Sequence, residues 1–396
     1  MNTLLRTHGF HTYEMDKQAG YDVALLLTTL LLCFCGAVFV LTSSAVHSWQ
    51  IFEGNSHTIF WNHVIRLGLG LAVLITLTFV DYHVYEKLAR PLVFFSILLL
   101  IAVFFLPQPP GVTAKRWIYL AGFSFQPAEI AKFVLITYLA MRFAALREQP
   151  FYQNEAKALW GCMFVAALIM LMIVIEPNLS MALLISGIVC LLFFIAGAKL
   201  RGLVIPAIAT LSCFTLVAAL NSYMQKRISD FLAGIVDPFQ SSYHVYQSLV
   251  GIGNGGFLGV GLGQSTQKHF FLPEPYNDFI FSIIGEELGI LGASALLICF
   301  VLLLSRGWKI ARNAPDAFGY FLAAGITISF ALSFVINIGV TLGVLPATGQ
   351  PLPFISYGGT SLMISLGAIG VLLNISRQAQ SGKSIIHSFN SSDRLY

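Results

Sequence analysis

Charged side chains are scarce in this chain of 396 residues: Asp, Glu, Lys and Arg make up 10% of it, whereas hydrophobic residues make up 57%. The net charge of +4 is spread along the sequence, which excludes the concentrated basic patch typical of nucleic-acid-binding proteins. All six cysteines lie inside apolar runs, so neither a disulfide framework nor a zinc site is indicated. No Asp-x-Asp motif or histidine cluster points to a metal site built by the protein.

Long apolar runs dominate the sequence instead. Each is about 20 residues long, the length of helix that crosses a hydrocarbon core of about 30 Å. The sequence therefore predicts an all-α polytopic integral membrane protein with about ten transmembrane helices. The predicted spans are 22–45, 58–80, 91–107, 127–146, 158–175, 180–197, 202–221, 277–304, 317–343 and 354–376. The first span follows a polar stretch and is longer than the core of a cleaved signal peptide, so we expect it to be retained.

The distribution of Lys and Arg predicts the orientation of the chain. Most of these residues fall in alternate loops, and the positive-inside rule then places both termini in the cytoplasm. We expect a cytoplasmic N-terminal segment at 1–21, one ten-helix membrane domain at 22–376, and a disordered cytoplasmic tail at 377–396. The large extracytoplasmic loop would be 222–276, between helices 7 and 8, and its length marks it as a candidate functional element.

Several basic residues do not follow the orientation rule. They lie on the predicted outer side or inside the outer halves of spans: Arg66, Lys115, Arg116, Lys132, Lys226, Arg227 and Lys268. They could contact lipid headgroups or neighbouring acids. Alternatively, several could converge on an anionic ligand such as a phosphate. No series of acids continues to the cytoplasmic side, which disfavours a proton-driven transporter.

The segment DFIFSIIGEELG at 278–289 puts three carboxylates where an apolar helix begins. Asn277 is a plausible N-cap, and Asp278 could be a capping residue in the first turn or a general base at the boundary between water and lipid. Glu286 lies about 80° and Glu287 about 180° around the helix from Asp278, so they cannot form one compact acid pair with it. We expect them to be structural partners of Arg66, Lys132 or the polar backbone.

Two other motifs have competing interpretations. GIGNGGFLGVGLGQS at 251–265 contains G-x-G-x-x-G, but without a βαβ unit it predicts a hairpin or re-entrant turn packed closely on helices. Glu129 and Lys132 are spaced to share a helix face, either as a local salt bridge or as part of a site.

Taken in order, the motifs resemble the SEDS family (shape, elongation, division and sporulation) of bacterial cell-wall synthesis. They are RWI at 116–118, QPAEIAK at 126–132, DP at 237–238, YxxxQS at 243–248, QK at 267–268, LPE at 272–274, DFIFSIIGEELG at 278–289 and PLPFISYGGTSL at 351–362. The resemblance covers about 20–376 and is greater to the division branch than to the elongation branch. The chain departs from the family at Glu176-Pro177-Asn178, where many members carry Pro-Asp.

The resemblance implies the SEDS fold of ten helices and a glycosyltransferase that polymerises lipid II at the outer face of the bacterial inner membrane. Asp278 would be the general base, the reaction would invert the anomeric centre, and undecaprenyl pyrophosphate would leave. The implied substrate-binding residues are Lys115, Arg116, Lys268, Glu129, Lys132, Glu274, Gln247 and Ser356. A divalent cation, Mg or Mn, could accompany the pyrophosphate.

The implied partners are lipid II, membrane lipid, a class B penicillin-binding protein and other division proteins, with the chain at the division septum. Two alternatives stay open at this point. One is a lipid II flippase, and the other is a non-catalytic scaffold for a transpeptidase.

Overall fold

The computed structural model describes residues 20–108, 115–120, 123–147, 155–176, 178–197, 219 and 222–392. This part of the chain contains eleven α-helices. They are α1 (Val23–Ile51), α2 (Thr58–Phe79), α3 (His83–Phe105), α4 (Pro127–Arg147), α5 (Glu155–Ile175), α6 (Leu179–Ile195), α7 (Ser222–Val236), α8 (Tyr243–Gly255), α9 (Ile280–Arg312), α10 (Ala317–Thr341) and α11 (Thr360–Ser392). A short 3₁₀ helix, Pro238–Gln240, joins α7 to α8.

Six of the described helices are long and apolar enough to cross a membrane: α1, α2, α3, α9, α10 and the Thr360–Gln380 part of α11. Two shorter apolar helical stretches, Trp160–Ile175 and Leu179–Ile195, coincide with predicted spans. The predicted span 202–221 lies outside the described residues except for its position 219, so the total of ten helices stays a prediction.

Helices α4 and α10 form the centre of the bundle, because most of their side chains are buried. Small residues allow close approach of helices: Gly325 of α10 lies against Ile136 of α4, and Gly370 of α11 lies against the main chain of α2 at Leu74. The core is one large cluster of Leu, Ile, Val and Phe side chains from the long helices.

The structure adds a short β-hairpin to the all-α prediction. Strands β1 (Ile118–Leu120) and β2 (Phe123–Phe125) pair antiparallel, with Ile118 opposite Phe125. Alternation over such a short stretch gives too weak a signal to be recognised in the sequence. The hairpin leads into Pro127, the first residue of α4, and so places Arg116 and Glu129 at the same end of the bundle.

Two helix boundaries differ from the prediction. The sequence suggested Asn277 as the N-cap of α9, but the helix begins at Ile280 and the Asn277 side chain donates instead to Glu274 at 2.7 Å. The last helix continues to Ser392, through residues expected to be disordered after Arg377. No proline follows Pro353 to stop that helix.

Helix α9 is interrupted at Gly289, whose φ of 66° and ψ of −166° are open only to glycine. The segment after α8 pairs with the interruption: Val260 N–H donates to the Glu286 carbonyl and Gly261 N–H to the Glu287 carbonyl, both at 3.0 Å. A Cβ atom on Gly259 would overlap the Glu287 carbonyl, so glycine is required for this approach. The predicted close packing of the glycine-rich segment on a helix is confirmed.

The side chains of Glu286 and Glu287 hold the next part of that segment. Glu286, fully buried, accepts hydrogen bonds from the Thr266 hydroxyl at 2.6 Å, the Thr266 N–H at 3.1 Å and the hydroxyl of Ser265. Glu287 accepts from Ser265 N–H at 3.4 Å and lies 3.5 Å from the Lys268 ammonium. These two carboxylates are therefore structural, and their partners are backbone, hydroxyls and Lys268 rather than Arg66 or Lys132.

Candidate functional site

Asp278 lies where two cavities meet, at the end of the bundle that carries residues 222–279. The first, the Arg116 cavity, has a volume of about 520 Å³ and includes Arg66, Arg116 and Glu129 in its wall. The second, the Lys226 cavity, has a volume of about 600 Å³ and includes Lys226 and His244. Four residues line both: Arg227, Glu274, Asp278 and Gly349.

The position of Asp278 is fixed through its main chain. The Asn337 side chain, buried in α10, donates to the Asp278 carbonyl and to the Gln350 carbonyl, each at 2.8 Å. One amide thus ties the start of α9 to the Pro/Gly-rich segment before α11. The Asp278 side chain remains directed at the cavities, close to Gly349.

The Asp278 carboxyl is destabilised in its charged form. Burial and then the nearby charge of Glu274 raise the pKa of Asp278 to about 6, and Arg227 partly opposes this shift. Within the described chain neither a hydrogen bond nor an ion pair engages the carboxylate oxygens. At neutral pH the group is therefore ionised, basic and accessible from two sides, as a general base requires.

Cations in the Arg116 cavity come from separate elements. Arg66 belongs to α2, and Arg116 lies just before β1. The guanidinium carbon of Arg66 is 5.0 Å from the centre of the Tyr357 ring. The Tyr357 N–H donates to the Tyr276 carbonyl at 2.8 Å, which links the segment before α11 to the one before α9. The cavity therefore offers positive charge within reach of a basic carboxylate, an arrangement suited to an anionic substrate.

Helix α7 covers the same region with two different faces. Lys226, Arg227 and Asp230 line the Lys226 cavity, whereas Leu232 and Ile235 are exposed apolar residues. Arg227 donates to the Ala347 carbonyl at 3.0 Å. A helix of this kind fits a position at a membrane surface, with its apolar side in lipid and its charged side over the cavities.

Glu129 and Lys132 form the i, i+3 ion pair considered in the sequence, with their charged atoms 2.7 Å apart. Glu129 is 2% exposed and Lys132 is 9% exposed. Glu129 also lines the Arg116 cavity. The pair therefore belongs to the wall of the site, and its charges neutralise each other there.

The structure brings Asp278, Arg116, Glu129 and Glu274 to the walls of the cavities, whereas other predicted substrate-binding residues lie elsewhere. Lys115 is exposed and donates to the Phe104 carbonyl at 3.2 Å. Lys268 is buried and donates to the Gly263 carbonyl beside Glu287. The Ser356 hydroxyl accepts from Leu352 N–H at 2.8 Å, inside a turn. Gln247 lines neither cavity.

Arg227 and Gly349 both line the two cavities. In the sequence Arg227 is one of seven basic residues that break the orientation rule and of which several could converge on an anionic ligand, whereas Gly349 has no predicted role. Gly349 sits in the Pro/Gly-rich segment, and nothing in the sequence indicates that its backbone approaches Asp278. The contact becomes visible only in three dimensions.

Comparison with known proteins agrees with this architecture. The family model "Cell cycle protein" (FTSW_RODA_SPOVE) matches residues 23–381. Stage V sporulation protein E of Bacillus subtilis strain 168 is 38% identical over 373 residues, which cover 92% of this chain and 99% of that protein. A "probable peptidoglycan glycosyltransferase FtsW" of Trichlorobacter lovleyi is 36% identical, over 91% of this chain and 94% of the relative.

Solved structures show the same fold. One, reported as "Structural coordination of polymerization and crosslinking by a peptidoglycan synthase complex", matches with a TM-score of 0.72 and 28% identity, covering 91% of this chain and 98% of that chain. The rod shape determining protein RodA of Thermus thermophilus matches with a TM-score of 0.67 and 25% identity, covering 91% and 97%. The chain is therefore a multi-pass membrane protein that belongs to the FtsW, RodA and SpoVE family.

Proposed function

We propose that this chain is a peptidoglycan glycosyltransferase that polymerises lipid II, with Asp278 as its general base. The observation that carries the proposal is the position of Asp278 in the walls of two cavities, ionised at neutral pH and without a bound counter-ion among the described residues. The similarity to relatives named as probable peptidoglycan glycosyltransferases supports the same activity.

Polymerisation joins two lipid-linked sugars, and two cavities that share one carboxylate suit that requirement. Asp278 would take the proton from the 4-hydroxyl of the acceptor sugar as that oxygen attacks C1 of the donor. The bond from C1 to the diphosphate oxygen breaks, the anomeric centre inverts, and undecaprenyl diphosphate leaves with the bonding electron pair. Arg116 and Arg66 in the Arg116 cavity would stabilise the negative charge that develops on the diphosphate.

A divalent cation remains a prediction of the sequence. Among the described residues, no cluster of three or more His, Cys, Asp or Glu side chains could hold a metal ion. The described residues therefore do not supply a metal cage of their own. A cation would have to be held chiefly by the diphosphate oxygens of the substrate, and Asp278 and the arginines act without it in this proposal.

The proposed setting is the bacterial inner membrane, with both termini in the cytoplasm and the cavities at the outer face. A class B penicillin-binding protein is the proposed partner, since one similar chain was solved within a peptidoglycan synthase complex. Matches to FtsW proteins support a septal role in division, and the match to a sporulation protein is compatible with a related role in spore formation.

Polymerisation of purified lipid II in detergent, followed by gel separation of the glycan, tests the proposal. We expect wild type with its transpeptidase partner to make long glycan and Asp278→Asn to lose about 10²- to 10⁴-fold in rate, the usual contribution of a general base. Glu53→Gln changes an exposed carboxylate that lines neither cavity, so it is the matched control and should keep full activity. Full activity of Asp278→Asn would remove the base assignment, and lipid II transport across liposomes without polymerisation would favour a flippase.

A further inference from the structure

The turn between α5 and α6 carries buried polar groups that the proposed reaction leaves unused. Glu176 is fully buried, and among the described residues neither of its carboxyl oxygens has a hydrogen-bond partner. Asn178 is 4% exposed, and its side-chain amide nitrogen has no partner in the same part of the chain. Buried polar groups in native proteins are nearly always hydrogen-bonded, so these two groups mark a place where a polar ligand could be bound.

This turn begins a helix whose N-terminus reaches the Arg116 cavity. Asn178 is the N-cap of α6, yet its side chain makes no capping hydrogen bond. The first N–H groups of a helix have no acceptor within the helix and carry a partial positive charge. Leu179 and Ser180, the first two residues of α6, line the cavity. The positive end of α6 is thus directed at the space where substrate would bind.

Arg116 adds a full positive charge at the same place. Its Nε atom lies 3.4 Å from the main-chain oxygen of Glu176, to which it donates, and the side chain lines the Arg116 cavity. This contact anchors Arg116 to the turn through its Nε atom. Helix N–H groups and a guanidinium side by side are the combination that proteins use for phosphate oxygens.

We propose that the N-terminal turn of α6, together with Asn178 and Arg116, is the subsite that binds the diphosphate of a polyprenyl diphosphate, and that Glu176 is its positioning residue. The inference rests on the proposed function, because it assigns the donor's diphosphate to one wall of the Arg116 cavity. The unpaired amide of Asn178 would donate to a phosphate oxygen.

Glu176 fits this role because its protonation state is compatible with an anion. Burial raises the pKa of Glu176 to about 8, and the charge of Arg116 opposes the shift. At pH 7 the carboxyl is therefore mostly neutral and can donate a hydrogen bond. Above pH 8 the Glu176 carboxyl becomes an anion. It then neutralises the charge of Arg116 and repels phosphate. A phosphate's last ionisation lies near pH 6, so the ligand's own charge changes little over this range.

The test is binding of undecaprenyl diphosphate to the full chain in lipid nanodiscs. Ser180→Asp and Ser361→Asp form a matched pair, since each serine is the second residue of its helix and both line the Arg116 cavity. We expect Ser180→Asp to weaken binding by about tenfold or more, the size of the loss of one charge-assisted contact. Ser361→Asp should weaken binding by less than about threefold. Equal effects would overturn the subsite, as would inorganic diphosphate binding as tightly as the lipid.

A pH series tests the positioning residue separately. Wild type should bind undecaprenyl diphosphate at least about threefold more weakly at pH 9 than at pH 7, as a neutral carboxyl becomes an anion. Glu176→Gln, which keeps the shape and cannot ionise, should bind equally at both pH values. A pH dependence that persists in Glu176→Gln would overturn the role of Glu176. Undecaprenol, which lacks phosphate, is the control ligand and should bind all variants alike. A variant that fails to bind undecaprenol has lost more than the diphosphate subsite and would be replaced by Asn178→Leu. We expect Asn178→Leu to weaken binding of undecaprenyl diphosphate and to leave binding of undecaprenol unchanged.

Failure of this subsite and failure of the proposed function give different results. If Ser180→Asp binds diphosphate normally while Asp278→Asn abolishes polymerisation, the subsite is wrong and the proposed function stands. If wild type binds the diphosphate at α6 but makes no glycan with its partner present, the proposed function is wrong.

Discussion

Gly259 packs against the main chain of Glu287 at the interruption of α9, so closely that a Cβ atom would overlap the Glu287 carbonyl oxygen. Any side chain at Gly259 would overlap main-chain atoms that cannot move without breaking the pairing of Val260 and Gly261 with α9. The contact joins the glycine-rich segment to the helix that follows Asp278. It therefore connects the stability of the loop to the geometry of the site.

We expect the overpacking in Gly259→Ala to lower the free energy of unfolding by about 1–3 kcal/mol beyond any backbone strain, which is measured as a lower melting temperature in detergent. Gly263→Ala is the matched control, because both glycines have positive φ (82° and 77°) but a Cβ on Gly263 would meet nothing within 4 Å. Backbone strain is then common to both variants. If the two melt at the same temperature, steric overlap with Glu287 is not what requires glycine at this position.

The buried pair of Glu129 and Lys132 gives a second prediction. Removing one partner leaves an uncompensated buried charge, so Lys132→Met should destabilise the chain by about 3–5 kcal/mol. Adding Glu129→Leu to that variant should recover most of the loss. Thermal melting of both single variants and the double variant measures the coupling. A double variant as unstable as Lys132→Met would contradict this explanation.

The pH dependence of polymerisation should follow the ionisation of Asp278. Its pKa is raised to about 6, so the base is deprotonated at pH 7 and the rate should fall about tenfold per pH unit below pH 6. Because Glu274 is one cause of the raised pKa, Glu274→Gln should move this acid limb to lower pH. An acid limb that stays in place in Glu274→Gln would argue against Asp278 as the titrating group.

The same shift makes a prediction about stability. An acid whose pKa is higher in the folded than in the unfolded state costs stability once it ionises, and this cost is fully present above pH 6. Asp278→Asn should therefore raise the melting temperature at pH 8 while it abolishes polymerisation. At pH 4, where Asp278 is protonated in the folded state, the two proteins should differ less. A variant less stable than wild type at pH 8 would show that the charge has a structural role.

The neighbouring residues Lys115 and Arg116 allow a test of whether a positive charge must line the cavity or need only lie near it. Arg116 lines the cavity, whereas Lys115 is exposed and does not. Arg116→Gln should lower kcat/KM about 10- to 100-fold, the loss of a charged hydrogen bond of about 1.5–3 kcal/mol. Lys115→Gln should change kcat/KM less than about threefold, the size of a solvent-exposed charge effect. Equal losses in the two variants would mean that net positive charge, rather than contact, is what the substrate senses.

The sequence predicted the helices well because the membrane imposes a length and an apolar composition that can be read directly. It also placed Asp278 and Arg116 near one another on family motifs. It could not predict contacts between distant segments. The Arg116 contact with Glu176 joins residues 60 positions apart, and the Glu286 contacts with Ser265 and Thr266 join a helix to a preceding loop. Such contacts depend on tertiary packing, and local periodicity carries no information about them.

The interruption of α9 also constrains how this chain is assembled. If the helix entered the bilayer before the glycine-rich segment reached it, the carbonyls of Glu286 and Glu287 would face hydrocarbon without donors, at a cost of several kcal/mol for each unpaired group. The segment that supplies those donors comes earlier in the chain, so it is already synthesised when α9 emerges. We therefore expect membrane integration of α9 to be coupled to docking of the loop.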